Sequence, residues 1–153
     1  MKFFRPFFRT SSAQHSLINQ RNGATVAATV VTAFDSASRR RGLLGLAAMP
    51  AGQAMIIAPS SAIHTWSMQF AIDVAFITKT GRIVKIRSNV LPRRIAASFS
   101  AFAVIELASG ALEASGTTTG DTVSLVAHAW QRCGDPQISF LSGPEGLAGL
   151  RCD

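Results

Sequence analysis

The stretch Ile63–Phe76, IHTWSMQFAIDVAF, holds the densest alternation of apolar and polar residues in the chain, and its reading decides the fold. On a strand, side chains two apart share a face. His64, Trp66, Met68 and Phe70 therefore line up together, and Thr65, Ser67 and Gln69 point the other way. The whole of residues 63 to 77 is expected to be extended, as a half-buried strand that becomes more central from Ile72 to Ile77. Asp73 interrupts that apolar run and is the only acid between Asp35 and Glu106. Lys79-Thr80-Gly81 then supplies a tight turn, with Gly81 free to take positive φ. Arg82 to Val90 returns as the partner strand, with Val84 and Ile86 on one face and Lys85 and Arg87 on the other.

Working outward, Ala24 to Phe34 is rich in β-branched residues and reads as a strand. Asp35 or Ser36 offers an N-cap for a short helix from Ser36 to about Leu46, weakened by Gly42 and Gly45. Gln53 to Ala58 and Ala101 to Ala108 read as strands, the second with Glu106 in its middle. A helical turn is expected near Leu112, and Thr122 to Ala127 is the last strand. The fold class is α+β, mostly β. We expect a small, strongly curved antiparallel sheet or partly closed barrel, with one short helix after the first strand and a second helical turn near residue 112.

With 153 residues, the chain suits one domain plus tails. Apolar residues make up 48% and charged residues 15%, which excludes a chain disordered throughout. No apolar run reaches the roughly 18 residues a membrane span needs. Residues 1–23 carry four bases and no acid, with Phe3, Phe4, Phe7 and Phe8 around Pro6, and read as a disordered arm. They lack the apolar core of a secretory signal. A weak organellar leader, a start-site extension and a basic-aromatic membrane anchor remain open alternatives. Residues 24–126 form the expected globular unit, and 127–153 a loosely attached tail. Cys133 and Cys152 both fall in that tail and match no zinc pattern. The compartment stays open between cytoplasmic and exported, and the expected state is a monomer.

Net charge is +7, with bases concentrated before residue 42 and between Lys79 and Arg94. Lys85, Arg87, Arg93 and Arg94 are the candidate anion-binding residues. Nucleic acid is the less favoured partner, because no aromatic is interleaved with the basic hairpin to stack bases.

At this point the spacing becomes recognisable. Arg41-Gly42-Leu43-Leu44, Met49-Pro50 with Ala54 to Ile57, and Trp66-Ser67-Met68 leading to Ile72–Ile77 resemble the domain-of-unknown-function family 192. Gly81 to Val84, Asn89 to Pro92, Ile105 to Gly110 and Gly120-Asp121 fit it as well. The resemblance covers about residues 24 to 126. It implies a compact, mostly antiparallel β domain of bacteria and archaea, with a short helix after its first strand and often behind an export signal. It implies no established reaction. Thr65 stands where the family usually has an aromatic, and Gln69-Phe70-Ala71 where it has Lys-Asn-Thr, so any ligand contact of those positions is altered here.

The leading expectation is a non-enzymatic ligand- or partner-binding module with a groove beside His64, Trp66, Met68 and Asp73, since pockets commonly combine an aromatic with a few polar groups. Its ligand is a small molecule or a protein. A rival from another class is a hydrolase using His64 and Asp73, although no Gly-x-Ser-x-Gly elbow is present. A third is a nucleic-acid binder using the basic hairpin. Asp73 divides evenly between a pocket carboxylate and a structural acid. For Glu106 the structural role is preferred, paired with an arginine such as Arg41 or with backbone N–H groups. His64 and Met68, with Met49 and Met55, are copper-type ligands, but methionine is an ordinary core filler. No phosphate-cradling glycine loop is present. Neither a metal nor a cofactor is expected.

Overall fold

The computed structural model describes residues 14–43 and 45–128, without the side chain of Arg41. In chain order the elements are β1 (Gln14–Asn19), β2 (Thr25–Ala27), β3 (Thr29–Ala33), α1 (Ser36–Arg41), β4 (Gln53–Ile57), β5 (Ala62–His64), β6 (Ile72–Ile77), β7 (Ile83–Val90), β8 (Ile95–Ala97), β9 (Ala103–Ala108), α2 (Ala111–Ala114) and β10 (Val123–His128). They make three sheets: five strands in the order β3-β4-β9-β6-β7, three in the order β10-β1-β2, and the two-stranded ribbon β5-β8. The protein is mostly β with two small helices.

The expected barrel is not formed. The sheets are open, and β3 pairs with β4 in parallel rather than antiparallel. The physical reason lies in how the five-stranded sheet is covered. Both of its faces are apolar, so two separate layers cover it instead of the sheet curling on itself. One face carries Ala54, Ile56, Ala75, Ile77, Ile105 and Leu107, packed against Leu17, Val26 and Val123 of the three-stranded sheet and Leu112 of α2. The other carries Ile57, Val74, Phe76 and Val104, packed against Leu43, Met49, Ile63, Met68 and Ala96. Each fully buried large apolar side chain here contributes roughly 1.5–3 kcal/mol.

Two expected boundaries are corrected. Residues 14–19 are not part of an arm: β1 pairs with both β10 and β2. Its polar residues hid it, because His15, Ser16 and Asn19 are buried. Asn19 donates to Asp121 Oδ2 at 2.8 Å and to Thr117 Oγ1 at 3.2 Å, which makes a polar strand tolerable inside. At the other end Ala127 and His128 belong to β10. The rest of the expected arm and tail, with Cys133 and Cys152, lies outside the described residues.

The helices also differ from expectation. The first strand of the chain is β1, so α1 follows the third. Asp35 caps it, accepting from the backbone N–H groups of Ala37 and Ser38, both at 2.9 Å. The helix stops at Arg41, short of Leu46, because Gly42 takes a positive φ of 46° and ends the turn. α2 spans Ala111–Ala114.

The stretch 63–77 is not one strand. It is extended at Ala62–His64 and again at Ile72–Ile77, and it turns between them. The chain turns at Ser67, which takes a positive φ of 66°, and Met68 N–H closes the turn on Thr65 O. Fully buried, Thr65 donates from its hydroxyl to Leu91 O at 2.7 Å and accepts from Arg94 N–H at 2.9 Å. These bonds hold the end of the ribbon, where the backbone of Thr65 still pairs with Arg93 and Arg94. The hairpin β6–β7 forms, antiparallel, with bulges between Ile72 and Val74 and between Phe76 and Ile77.

Candidate functional site

A cavity of about 380 Å³ lies on the face of the central sheet that carries α1 and the ribbon. α1 and its exit contribute Ser36, Arg39, Arg40 and Leu43. The ribbon contributes Ser60, Ile63 and His64, with Met68 from the following turn. Glu106 of β9 also lines it.

Glu106 is there by register. Alternation along β9 sends Val104 and Glu106 to the same face, and Val104 packs in the cluster containing Leu43, Ile63 and Met68. Its cross-strand neighbours are Met55 on one side and Val74 on the other, both apolar. The side chain of Arg41, the expected partner of Glu106, lies outside the described residues, and among those described no backbone N–H bonds Oε2. Its Oε2 is buried and has no hydrogen-bond partner among the described residues. Burial pushes its carboxyl up to about 7, because water no longer solvates the charged form. The group is 4% exposed, whereas Arg40 is exposed at the cavity mouth. Arg39 is partly tied back, donating to Phe34 O and to Ser36 Oγ. The cavity thus has a neutral-to-anionic floor, apolar walls from Leu43, Ile57, Ile63 and Met68, and a basic mouth.

Asp73 is placed elsewhere. Fully buried, it accepts from Asn89 N–H at 2.9 Å and from Leu112 N–H at 3.1 Å. Those bonds tie the bulged end of β7 and the start of α2 to β6. Its register partner Leu107 belongs to the face opposite that of Glu106 and His64, so His64 and Asp73 do not form a hydrolase pair. Of the four expected ligand residues, the structure brings His64 and Met68 to the cavity. Trp66 is 49% exposed and does not line it, although its ring lies 5.9 Å from that of His64 in an edge-on arrangement. Met49 and Met68 are core residues. Among the described residues no three His, Cys, Asp or Glu side chains come together as metal ligands.

The basic hairpin also differs from its sequence pattern. Lys85 donates to Ala97 O at 2.7 Å and stands 6.0 Å from the ring centroid of Phe76. Arg87, Arg93 and Arg94 are exposed. Trp66 lies beside the two later arginines, since Thr65 bonds to Arg93 and Arg94 through the backbone.

An open, mostly β domain with a cavity between its outer layer and central sheet defines the class of protein. The chain belongs to the domain-of-unknown-function family 192, described as an "Uncharacterized ACR", whose model matches residues 17–125. The fold is similar to that of a Sinorhizobium meliloti 1021 protein described as a "putative transcription regulator", at 25% identity and a TM-score of 0.65, covering 73% of this chain and 92% of that one. It is also similar to a protein of unknown function from Novosphingobium aromaticivorans DSM 12444, at 19% identity and a TM-score of 0.63, covering 72% and 83%. No curated protein matches the chain.

Proposed function

We propose that the chain is a small-molecule-binding domain, and that its ligand is a small organic acid held in the cavity between α1, the ribbon and β9. One observation carries this reading: Glu106, which lines the cavity, has a buried carboxyl oxygen without a partner among the described residues. A buried polar group left unpaired costs roughly 1–3 kcal/mol, and a bound polar ligand removes that cost. The cavity volume falls within the roughly 300–1,000 Å³ typical of small-molecule sites. Below pH 7 the Glu106 carboxyl is mostly an O–H donor, suited to a carbonyl or hydroxyl oxygen at the deep end. Arg39 and Arg40 favour a carboxylate at the mouth.

Isothermal titration calorimetry with hydroxy acids, keto acids, dicarboxylates and amino acids tests the proposal. Arg40→Gln is expected to weaken binding roughly tenfold or more, as loss of a charge-assisted hydrogen bond does. Glu106→Leu is expected to abolish it. A compound that binds wild type and a folded Glu106→Leu variant equally, or a panel that yields no binder, contradicts the proposal. The S. meliloti relative's description raises a nucleic-acid role, but with Lys85 engaged only Arg87, Arg93 and Arg94 of the four candidate bases remain free to meet phosphates.

A further inference from the structure

The surface beside Thr65 is apolar and basic at once. Trp66 and Leu91 are each 49% exposed, Ile95 is 67% exposed, and Phe99 is 99% exposed. Neighbouring large apolar side chains mark a contact site, and the group near Thr65 consists of Trp66, Leu91 and Ile95 without Phe99. Thr65 draws the first three together. Its N–H donates to Arg94 O at 2.9 Å, its carbonyl accepts from Arg93 N–H at 3.0 Å, and its hydroxyl donates to Leu91 O. Ile95 is the register partner of His64, whose ring meets that of Trp66. Phe99 follows the same strand, at the far end of the ribbon. Exposed Arg93 and Arg94 accompany these residues. Residues 74–105, which supply Leu91, Arg93, Arg94 and Ile95, contain no acid, and Asp73, between them and Trp66, is fully buried.

We infer that this surface docks the domain onto a membrane containing anionic phospholipid. Indole and branched aliphatic side chains enter the boundary between headgroups and acyl chains, and the guanidinium groups meet the lipid phosphates. The composition selects lipid over nucleic acid. Leu91 and Ile95 have no π face on which a base could stack, whereas aliphatic groups gain directly from an acyl environment. The charge is complementary to an anionic headgroup layer, since Arg93 and Arg94 are exposed while Asp73, the one acid from Trp66 to Ile95, is buried. His64 adjoins both this surface and the cavity, so the two proposals are separated by their variants: Glu106→Leu tests the cavity, and the paired arginine variant tests docking.

The test uses the full chain with Trp130→Phe, so that fluorescence reports Trp66 alone. Vesicles of phosphatidylcholine are compared with vesicles of equal parts phosphatidylcholine and phosphatidylserine. The expected result is a blue shift of Trp66 emission, and quenching by acyl-brominated lipid, with the anionic vesicles only. Arg93→Gln with Arg94→Gln is expected to weaken binding roughly 30-fold, about fivefold per arginine. Ile95→Ser, with thermal unfolding unchanged, is expected to reduce the quenching. Any of four outcomes overturns the inference: emission unmoved by anionic vesicles, an equal shift with phosphatidylcholine alone, binding unaltered in the arginine double variant, or quenching by a single-stranded oligonucleotide in place of vesicles.

Discussion

Asp73 and Glu106 leave adjacent strands of one sheet from opposite faces: Asp73 lies opposite Leu107 in the ladder, and Glu106 opposite Val74. Both are buried acids, yet their surroundings differ. Two backbone N–H groups satisfy Asp73, whereas Oε2 of Glu106 has no partner among the described residues and borders a cavity. One acid therefore serves the fold, and the other is the group on which the proposed ligand site rests.

Removing the first should cost stability. Asp73→Ala leaves the N–H groups of Asn89 and Leu112 without their acceptors. A loss of about 2–4 kcal/mol is expected, in line with leaving two donors unsatisfied. Urea denaturation checks this as a lower midpoint at unchanged slope. Binding in the cavity, measured below the unfolding transition, should be unchanged.

Removing the second should change how stability depends on pH. The carboxyl of Glu106 is raised by burial from 4.5 to about 7. Between those values the folded chain binds more protons than the unfolded one, so stability falls as pH rises. The contribution is complete below 4.5 and lost once pH passes 7, a change on the order of 3 kcal/mol. Subtracting the profile of Glu106→Gln from that of wild type isolates it from the histidines.

Asp121 has the opposite sign. Hydrogen bonds from Arg21, Thr118 and Asn19 hold its carboxyl well below the usual carboxylate range. Its contribution is present above 3.8 and lost on acidification. Asp121→Asn should flatten the decline of thermal stability below about pH 4, read by circular dichroism. The Arg21 side chain is half exposed, so salt should weaken the effect.

Trp66→Ser should leave stability within about 1 kcal/mol of wild type, since an exposed side chain outside the core carries little of it. Thermal unfolding checks this. A loss comparable to that of a core substitution would show that the indole packs within the fold.

Periodicity revealed the hairpin β6–β7 and the strand β9, because those segments expose their pattern locally, whereas the single strand expected over 24–34 is two, β2 and β3, in different sheets. It did not reveal β1, whose buried His15, Ser16 and Asn19 read as a polar arm until Thr117 and Asp121 come near from distant parts of the chain. The alternation from Ile63 to Phe70 continued through a turn, because the positive φ at Ser67 falls on a residue type that seldom adopts one. Of the expected ligand residues, His64 and Met68 line the cavity. Glu106 was visible as an acid on an apolar strand, but its lack of a partner depends on Met55 and Val74, which only the sheet register supplies.

The most direct measurement is a carbon-detected NMR titration of the Glu106 side-chain carboxyl. A midpoint near 7 is expected from an unpartnered carboxyl buried between Met55 and Val74. A midpoint near the ordinary 4.5 would mean that water or a cation already satisfies it, and the cavity would lose the group on which ligand binding rests.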